Sequence, residues 1–336
     1  MTHLNNLNNR ISSHPLPEDR EEMICLWQTT FQDSDEFVNL FFNRVFKSEN
    51  TLVIKNGSKI VSALQMIPYE IKIGGDIIPS AYVCGVCTLT SERGKGYMRT
   101  LMNEAADDMR QKGYGISTII PAYPWLFDVY KKFGYIHPIN YCLEYYSREN
   151  NHEHTEKTDT DYTYTKHHHK DFRETIPHRL KDFSDYTIIP YSGKYFSFFD
   201  KKQRRRQSTV LHDKYDLENI ICDLIHDYGN AWISLYKDKP VGIAFVSPLS
   251  EDHIIIKEIL YDNTQVKEAL IYHILNTYNT KIARVIVPDS NFSVDYKNQN
   301  TQSSPINRKT YQYGLACVLD KQITNIDDLF MSLMLD

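Results

Sequence analysis

The sequence predicts an α+β fold (mixed α/β) of two similar lobes, each a mixed, mainly antiparallel sheet flanked by helices. The chain has 336 residues, enough for about two domains. Residues 51–87 have the pattern of strands joined by tight turns, and a strand–helix–strand unit follows at 82–121. The same order of hairpin, strand, helix and strand returns at 231–287, which indicates an internal repeat.

The composition is that of an ordinary soluble protein, with 41% hydrophobic and 24% charged residues. A net charge of −5 disfavours a nucleic-acid partner. The sequence shows neither the roughly 20-residue apolar run of a membrane span nor a signal-peptide core, so no membrane partner is expected. The cysteines are scattered, and Cys84-x-x-Cys87 has no second pair to complete a zinc site. Reduced thiols predict a cytoplasmic location.

The first lobe is predicted over residues 18–148, after a polar, flexible arm over 1–17. Two apolar helical stripes come first, centred on Trp27 and Phe41. The strands that follow turn at Asn56-Gly57, a dipeptide typical of hairpins.

A strand ending near Leu89 and a helix that begins near Met98 enclose the segment Glu92-Arg93-Gly94-Lys95-Gly96-Tyr97. Glycines leave backbone amides uncovered, and a helix start adds free donors and partial positive charge. Cations at 93, 95 and 99 are unfavourable at a helix start unless an anion binds there. The segment predicts a phosphate cradle, with a solvated turn as the alternative, and its spacing fits neither the nucleotide P-loop nor the dinucleotide fingerprint.

This loop resembles the acyl-CoA pyrophosphate loop of the GNAT N-acetyltransferase superfamily, Arg/Gln-x-x-Gly-x-Gly/Ala, with Arg93, Gly96 and Met98 at its three positions. Met98 departs from the small residue of that pattern. A bulky residue there is usual in the tandem-domain enzymes related to the enhanced intracellular survival acetyltransferases. The resemblance implies acetyl-CoA as co-substrate, no metal, and cofactor contacts from Val86, Cys87, Thr88, Arg93, Gly94, Lys95, Gly96, Tyr97 and Met98.

A short helix from Trp125 is ended by Gly134. Its segment Tyr130-x-x-x-Gly134-Tyr135 resembles the GNAT element whose tyrosine protonates the leaving thiolate, which implies that Tyr130 is the general acid. A phenol of pKa about 10 keeps its proton at neutral pH and can make that donation. Without the resemblance, Tyr130 reads as a core aromatic of an amphipathic helix.

Residues 149–170 form a polar linker whose histidines allow either a metal site or, as we prefer, a solvated surface loop. The second lobe is predicted over 171–310. Its strand–helix junction, residues 261–264, has no glycine and has Asp262 where a phosphate would lie, so this lobe is expected not to bind CoA. The basic run 204–206 allows an adenosine-3′-phosphate or nucleic-acid contact, but a solvated face is the expected state.

Residues 311–336 are predicted as a strand–helix tail. Thr324 and Asp327 have capping-box spacing for a helix over about 325–335. The tail resembles the start of the sterol-carrier-like third domain of the enhanced intracellular survival family, without the full domain. In that family the terminal carboxylate acts as general base, which makes Asp336 a candidate for that role.

The sequence therefore predicts an acyl-CoA-dependent N-acyltransferase that passes an acetyl group to the primary amine of a small molecule or peptide. Two alternatives stay open. One is a non-catalytic acyl-CoA-binding regulator, which would not need Tyr130. The other is a tandem-GNAT aminoacyl-tRNA peptidyltransferase, which the acidic net charge of −5 disfavours. The oligomeric state is open, with a homo-oligomer compatible.

Overall fold

The computed structural model describes residues 12–147, 178–179, 183, 185–289 and 310–335. In the first part of the chain two helices precede three long strands, and helices alternate with strands thereafter. The elements are α1 (Arg20–Phe31), α2 (Asp35–Leu40), β1 (Thr51–Asn56), β2 (Lys59–Ile73), β3 (Asp76–Thr88), α3 (Tyr97–Gln111), β4 (Ile116–Ile119), α4 (Pro124–Lys131) and β5 (His137–Ser147).

The second part adds short strands and two helices before a hairpin, and then ends on a strand. Its elements are β6 (His178–Arg179), β7 (Thr187–Pro190), α5 (Phe196–Gln203), β8 (Ser208–Leu211), α6 (Lys214–His226), β9 (Asn230–Tyr236), β10 (Lys239–Pro248), β11 (His253–Tyr261), α7 (Thr264–Thr277), β12 (Ile282–Val287) and β13 (Thr310–Val318).

The described strands form one sheet in the order β1-β2-β3-β4-β13-β5-β12-β11-β10-β9-β7, with β6 beside β5 and β8 beside β2. Among these pairings β3–β4, β11–β12 and β5–β6 are parallel, and the others are antiparallel. The predicted fold class, a mixed and mainly antiparallel sheet flanked by helices, is confirmed.

The two halves of the sheet have the same pattern. β1-β2-β3-β4 and β9-β10-β11-β12 each run antiparallel, antiparallel, parallel, and in each the helix between the parallel strands packs on the sheet. The fifth strand is exchanged: β13 pairs with β4, and β5 pairs with β12. A boundary at residue 148 therefore cuts the sequence but not the sheet, because β5 and β13 lie side by side at its centre.

Each half packs helices on its sheet around its own apolar core. On one face of the first half, α1 and α2 cover a cluster that includes Trp27 and Phe41. On the other face, α3 and α4 cover a second cluster that includes Leu101 and Tyr130. In the second half, α7 and α6 cover separate clusters around Leu270 and Phe245.

The predicted helix over residues 325–335 is wrong. Residues 329–335 are buried and non-helical, and Phe330 forms a parallel bridge with Thr209. Asp328 and Leu333 have positive φ angles of 71° and 57°, which an α-helix does not allow. An amphipathic helix needs a polar face, and this run offers only Ser332, which is itself buried. The apolar side chains instead join three different clusters.

The structure also differs from the predicted solvated face at residues 204–206 and from the predicted flexible arm over residues 1–17. Arg206 does not lie on a solvated face: its guanidinium donates to both carboxylate oxygens of Glu258 at 2.6 Å and lies over the Phe330 ring. At the N-terminus, Ser13 exchanges two backbone hydrogen bonds with Val53. Residues 149–170 and 1–11, including the histidine-rich linker and most of the arm, lie outside the described residues.

Candidate active site

The end of β3 is bent by a bulge. The register between β2 and β3 shifts next to the Gln65–Cys84 pair, and Gly85 has a φ of +58°. A Cβ at Gly85 would lie 2.4 Å from the Trp27 ring, so only glycine fits under the indole. The bulge redirects the backbone of the last residues of β3, which include the predicted cofactor contacts Val86, Cys87 and Thr88.

β3 extends past its parallel partner. The register runs from Ser80–Ile116 to Val83–Ile119, where β4 ends, whereas β3 continues to Thr88. Open α/β sheets bind ligands at the carboxyl ends of their parallel strands. Residues 86–88, the predicted cofactor contacts on this strand, lie at that end.

The loop after β3 leaves the start of α3 open. Gly94 and Gly96 have φ angles of +79° and +86°, a region that favours glycine. Gly96 is the N-cap residue and has no side chain with which to cap the helix. A Cβ at either glycine would meet no atom of the described chain within 4 Å. Space and free amide donors therefore coincide at this helix start.

The charges of this loop are partly held in place. Lys95 donates to the Glu92 carboxylate at 2.8 Å, and the Tyr97 hydroxyl donates to the same oxygen at 3.3 Å. Arg93 donates from Nε to the Thr88 carbonyl at 3.3 Å. With Arg99 exposed, three cations and one carboxylate surround the helix start, which leaves the loop positive.

Tyr130 lies on the inner face of α4 and is 5% exposed. Burial raises the pKa of its phenol, so the hydroxyl keeps its proton at neutral pH. Its ring meets Tyr135 edge-on at 6.3 Å. Tyr135 shares a 2.7 Å hydrogen bond with Ser117, whereas the Tyr130 hydroxyl has no hydrogen-bond partner among the described residues. The phenol of Tyr130 is therefore protonated at neutral pH and available as a hydrogen-bond donor.

One apolar cluster brings several predicted residues together: Val86, Tyr97, Met98 and Tyr130 all belong to it or pack against it. Cys87 lies in the cluster on the opposite face, and burial raises the pKa of its thiol to about 12. Only its backbone can serve the site.

Thr88 uses its hydroxyl in a 2.7 Å hydrogen bond with Ser62. Asp336 lies outside the described residues, so its proposed role as base stays a prediction.

Two site features were missed from the sequence. An isolated glycine within a strand pattern is the usual signal of a bulge, and Gly85 carried that signal. Glu92 gave no signal, because its carboxylate faces Lys95 and Tyr97 only after the loop has turned.

The family comparison decides the class. Residues 14–137 match the model of the GNAT acetyltransferase domain. This segment is a GNAT domain. The protein is an enzyme of the acetyltransferase class, and GNAT acetyltransferases use acetyl-CoA as co-substrate and amines as acceptors.

Solved structures share the fold over most of the chain. A probable N-acyltransferase from Enterococcus faecalis has a TM-score of 0.65 at 14% identity, over 92% of this chain and 73% of that one. A GCN5-related N-acetyltransferase from Anabaena variabilis has a TM-score of 0.66 at 14% sequence identity, and the match covers 92% of this chain and 72% of that one. Eis1 from Mycobacterium abscessus has a TM-score of 0.59 at 11% sequence identity, and the match covers 92% of this chain and 73% of that one. No curated protein sequence matches the chain.

Within the described ranges, no helix is long and apolar enough to cross a membrane. The same part of the chain contains no group of three or more histidine, cysteine or carboxylate side chains arranged to hold a metal ion.

Proposed function

We propose that this GNAT enzyme transfers an acetyl group from acetyl-CoA to a primary amine, with one active site in the first half of the chain. The observation that carries the proposal is the open start of α3. There, left-handed glycines, free amides and three cations lie beside Tyr97 and Met98, and these two side chains pack in the same apolar cluster as Tyr130. The α3 start is built for a large anion, and the cluster beside it suits the thioester end of the same molecule.

The residues present fit a pyrophosphate. The space above Gly94 and Gly96 is free of described atoms within 4 Å, so phosphate oxygens can approach the backbone amides. Lys95, Arg93 and Arg99 supply positive charge at the same helix start. Met98 packs against the apolar cluster and so turns its bulk away from that space.

In the proposed reaction acetyl-CoA supplies an activated acyl group as a thioester. The amine nitrogen bonds to the carbonyl carbon, the carbon–sulfur bond breaks, and the sulfur accepts the proton of Tyr130. Backbone amides near Val86–Thr88 polarise the carbonyl, and alignment of the reactants supplies much of the rate. The amine must lose one proton to a base, for which the terminal carboxylate of Asp336 is our hypothesis.

We further propose that the chain consists of two tandem GNAT-like lobes that exchange a strand, of which only the first is active. The repeated strand order and the exchanged β5 and β13 support this organisation. The second lobe would then wall the acceptor pocket. The cytoplasm is the proposed location, on the scattered, unpaired cysteines.

Binding without catalysis is the second candidate function, because Tyr130 packs like a core aromatic. To separate the two, titration calorimetry with acetyl-CoA is combined with thiol release against a panel of primary amines. Tyr130→Phe should bind acetyl-CoA as wild type does but lower kcat by about 100-fold or more, the usual contribution of a general acid. Tyr135→Phe is the matched control, since that neighbouring hydroxyl is already engaged by Ser117. Equal turnover in wild type and Tyr130→Phe would overturn the assignment.

A further inference from the structure

The bulge of β3 sets the direction of the strand end that leads into the candidate site. Two residues of β3, Gly85 and Val86, stand opposite the single residue Leu64 of β2. A bulge of this kind disrupts the ladder locally and redirects the strand. β4 ends opposite Val83, so the parallel partner does not fix β3 beyond that point. The direction of the amides over residues 86–88, to which the proposed function assigns the polarisation of the carbonyl, therefore depends on what holds the bulge.

Trp27 of α1 supports this bulge from one face of the sheet. The three atoms nearest to a Cβ built on Gly85 all belong to the Trp27 indole, so the ring lies directly against the Gly85 backbone. Trp27 and Tyr130 belong to apolar clusters on opposite faces of the sheet, and Val86 packs against the cluster of Tyr130. The indole therefore contacts β3 on the face opposite the proposed thioester position.

The indole is itself held in one orientation. Its Nε1 donates to the Asp33 carboxylate at 2.8 Å, which satisfies the single donor of a side chain that is only 7% exposed. The rings of Phe41 and Phe42 lie 4.6 and 5.8 Å from the indole, the second of them edge-on. We propose that Trp27, oriented by Asp33, is a positioning residue that holds the β3 bulge so that a backbone amide near Val86 meets the carbonyl of acetyl-CoA.

Such a role acts on the rate and not on cofactor affinity. An amide stabilises the charge that develops on a carbonyl oxygen only within hydrogen-bond distance of it, so a small shift of the bulge weakens the transition state. The affinity for acetyl-CoA is assigned to the pyrophosphate at the start of α3, which lies on the opposite face of the sheet from Trp27. A change at Trp27 should therefore separate kcat from binding.

This inference rests on the proposed acetyl transfer, and isotope-edited infrared spectroscopy tests it on the full chain. The stretching frequency of the labelled carbonyl in bound acetyl-CoA reports how strongly an amide polarises it. Trp27→Phe, which keeps a ring but loses the indole N–H, should raise that frequency relative to wild type and lower kcat on the order of 10-fold to 100-fold. Calorimetry should find the same acetyl-CoA affinity in both proteins.

Three further variants separate positioning from packing. Asp33→Asn keeps an acceptor for the indole and should match wild type, whereas Asp33→Ala should change the frequency and kcat in the same direction as Trp27→Phe. Asp33 is exposed, so both of its variants should fold. Val53→Ala removes buried volume from the same apolar cluster on β1, which is separated from β3 by β2. It should lower stability and leave the carbonyl frequency unchanged.

Four results would contradict the inference. A wild type that binds no acetyl-CoA would overturn the proposed function and the positioning role with it. If wild type binds and Trp27→Phe leaves both the frequency and kcat unchanged, the positioning role alone is wrong. An equal change in Val53→Ala would mean that lost core packing explains the effect. A raised KM for the amine in Asp33→Asn would assign that carboxylate to the acceptor instead of the indole.

Discussion

The starts of α3 and α7 occupy the same place in the repeated strand order but have opposite chemistry. α3 has Gly96 as its N-cap, with open space beside it. α7 has Asn263, whose side chain accepts from the Val266 amide at 3.1 Å and so occupies a donor that a ligand would need. One backbone arrangement thus allows either a ligand or an internal cap, and a few residues decide between them.

Charge separates the two junctions further. Lys202 is buried and donates to the Tyr261 carbonyl at 2.9 Å and to the Asp262 carboxylate. The second half therefore carries its own anion beside its helix start, with its own buried cation. The first half has three cations and one carboxylate at the equivalent place, which leaves positive charge for a ligand. We therefore expect an anion to bind at the first junction rather than at the second, where Asp262 already pairs with Lys202 and Arg205.

The largest expected effect comes from reversing the charge at the first junction. Gly96→Glu should weaken acetyl-CoA binding by at least about a thousandfold in calorimetry, because a carboxylate facing a pyrophosphate costs several kcal/mol. The fold should persist, since a side chain at position 96 meets no described atom within 4 Å at its Cβ.

Two variants control for this change. Gly96→Ala imposes the same left-handed strain at a φ of +86° without the charge, and should bind acetyl-CoA far better than Gly96→Glu. Asn263→Ala removes the second cap and should cost about 1 kcal/mol of unfolding free energy with no change in acetyl-CoA affinity. If Gly96→Glu still binds acetyl-CoA, the assignment of the α3 start as a phosphate cradle is wrong. If Asn263→Ala loses acetyl-CoA binding, the two junctions do not differ in the way proposed.

The next effect concerns the exchanged strand. Lys267 on α7 is buried and paired with Glu144 on β5, which also accepts from the Tyr146 hydroxyl at 2.8 Å. Lys267→Met should lower the free energy of unfolding in urea by about 3 kcal/mol, because it leaves a buried carboxylate without its lysine. The folded variant should keep its acetyl-CoA affinity, since α7 belongs to the second half.

The double variant Lys267→Met with Glu144→Gln tests the cause. It removes both charges, so most of the lost stability should return. If the single variant unfolds at the same urea concentration as wild type, the pair does not anchor β5. If the double variant is no better than the single one, packing rather than charge explains the loss.

Local signals predicted the strand–loop–helix unit of the first half, whereas the assembly of the sheet was not predicted. Glycine spacing, β-formers and helical periodicity all lie within residues 82–114, so the strand–loop–helix unit could be read without tertiary knowledge. The exchange of β5 and β13 between the two halves of the sheet could not be predicted from such local patterns. β5 and β13 both have ordinary strand patterns, and the Cys142–Thr310 pair joins positions 168 residues apart.

In the C-terminal tail, burial of the apolar side chains prevents the helix that the local sequence pattern predicts. Thr324 and Asp327 have the spacing of a helix cap, but the following residues find apolar neighbours on every side and adopt a non-helical path. Arg206 shows the same for charge. The two arginines before it in the sequence predict that its side chain is exposed to solvent. Its actual partner, Glu258, lies 52 positions away in the sequence.

The last prediction concerns pH and the second part of the chain, where His212 holds the tail through a 2.9 Å contact with the Ser332 carbonyl. Burial lowers the pKa of His212 to about 4, so the unfolded chain binds the extra proton between about pH 4 and 6.5. Its contribution to stability is therefore complete above pH 6.5 and is lost as the pH falls toward 4.

His212→Gln, which keeps a donor, should remove this slope. Over the 1.5 pH units from 6.5 to 5, the wild type should lose on the order of 2 kcal/mol more unfolding free energy than the variant. Urea midpoints at both pH values measure the difference, and the comparison cancels the other titrating groups. The buried titrating groups of the first site, Cys87 and Tyr130, stay neutral across this range because burial raises their pKa values. A parallel fall in both proteins would mean that His212 does not set the acid response, and acetyl-CoA affinity that follows the same slope would mean that the tail and the first site are coupled.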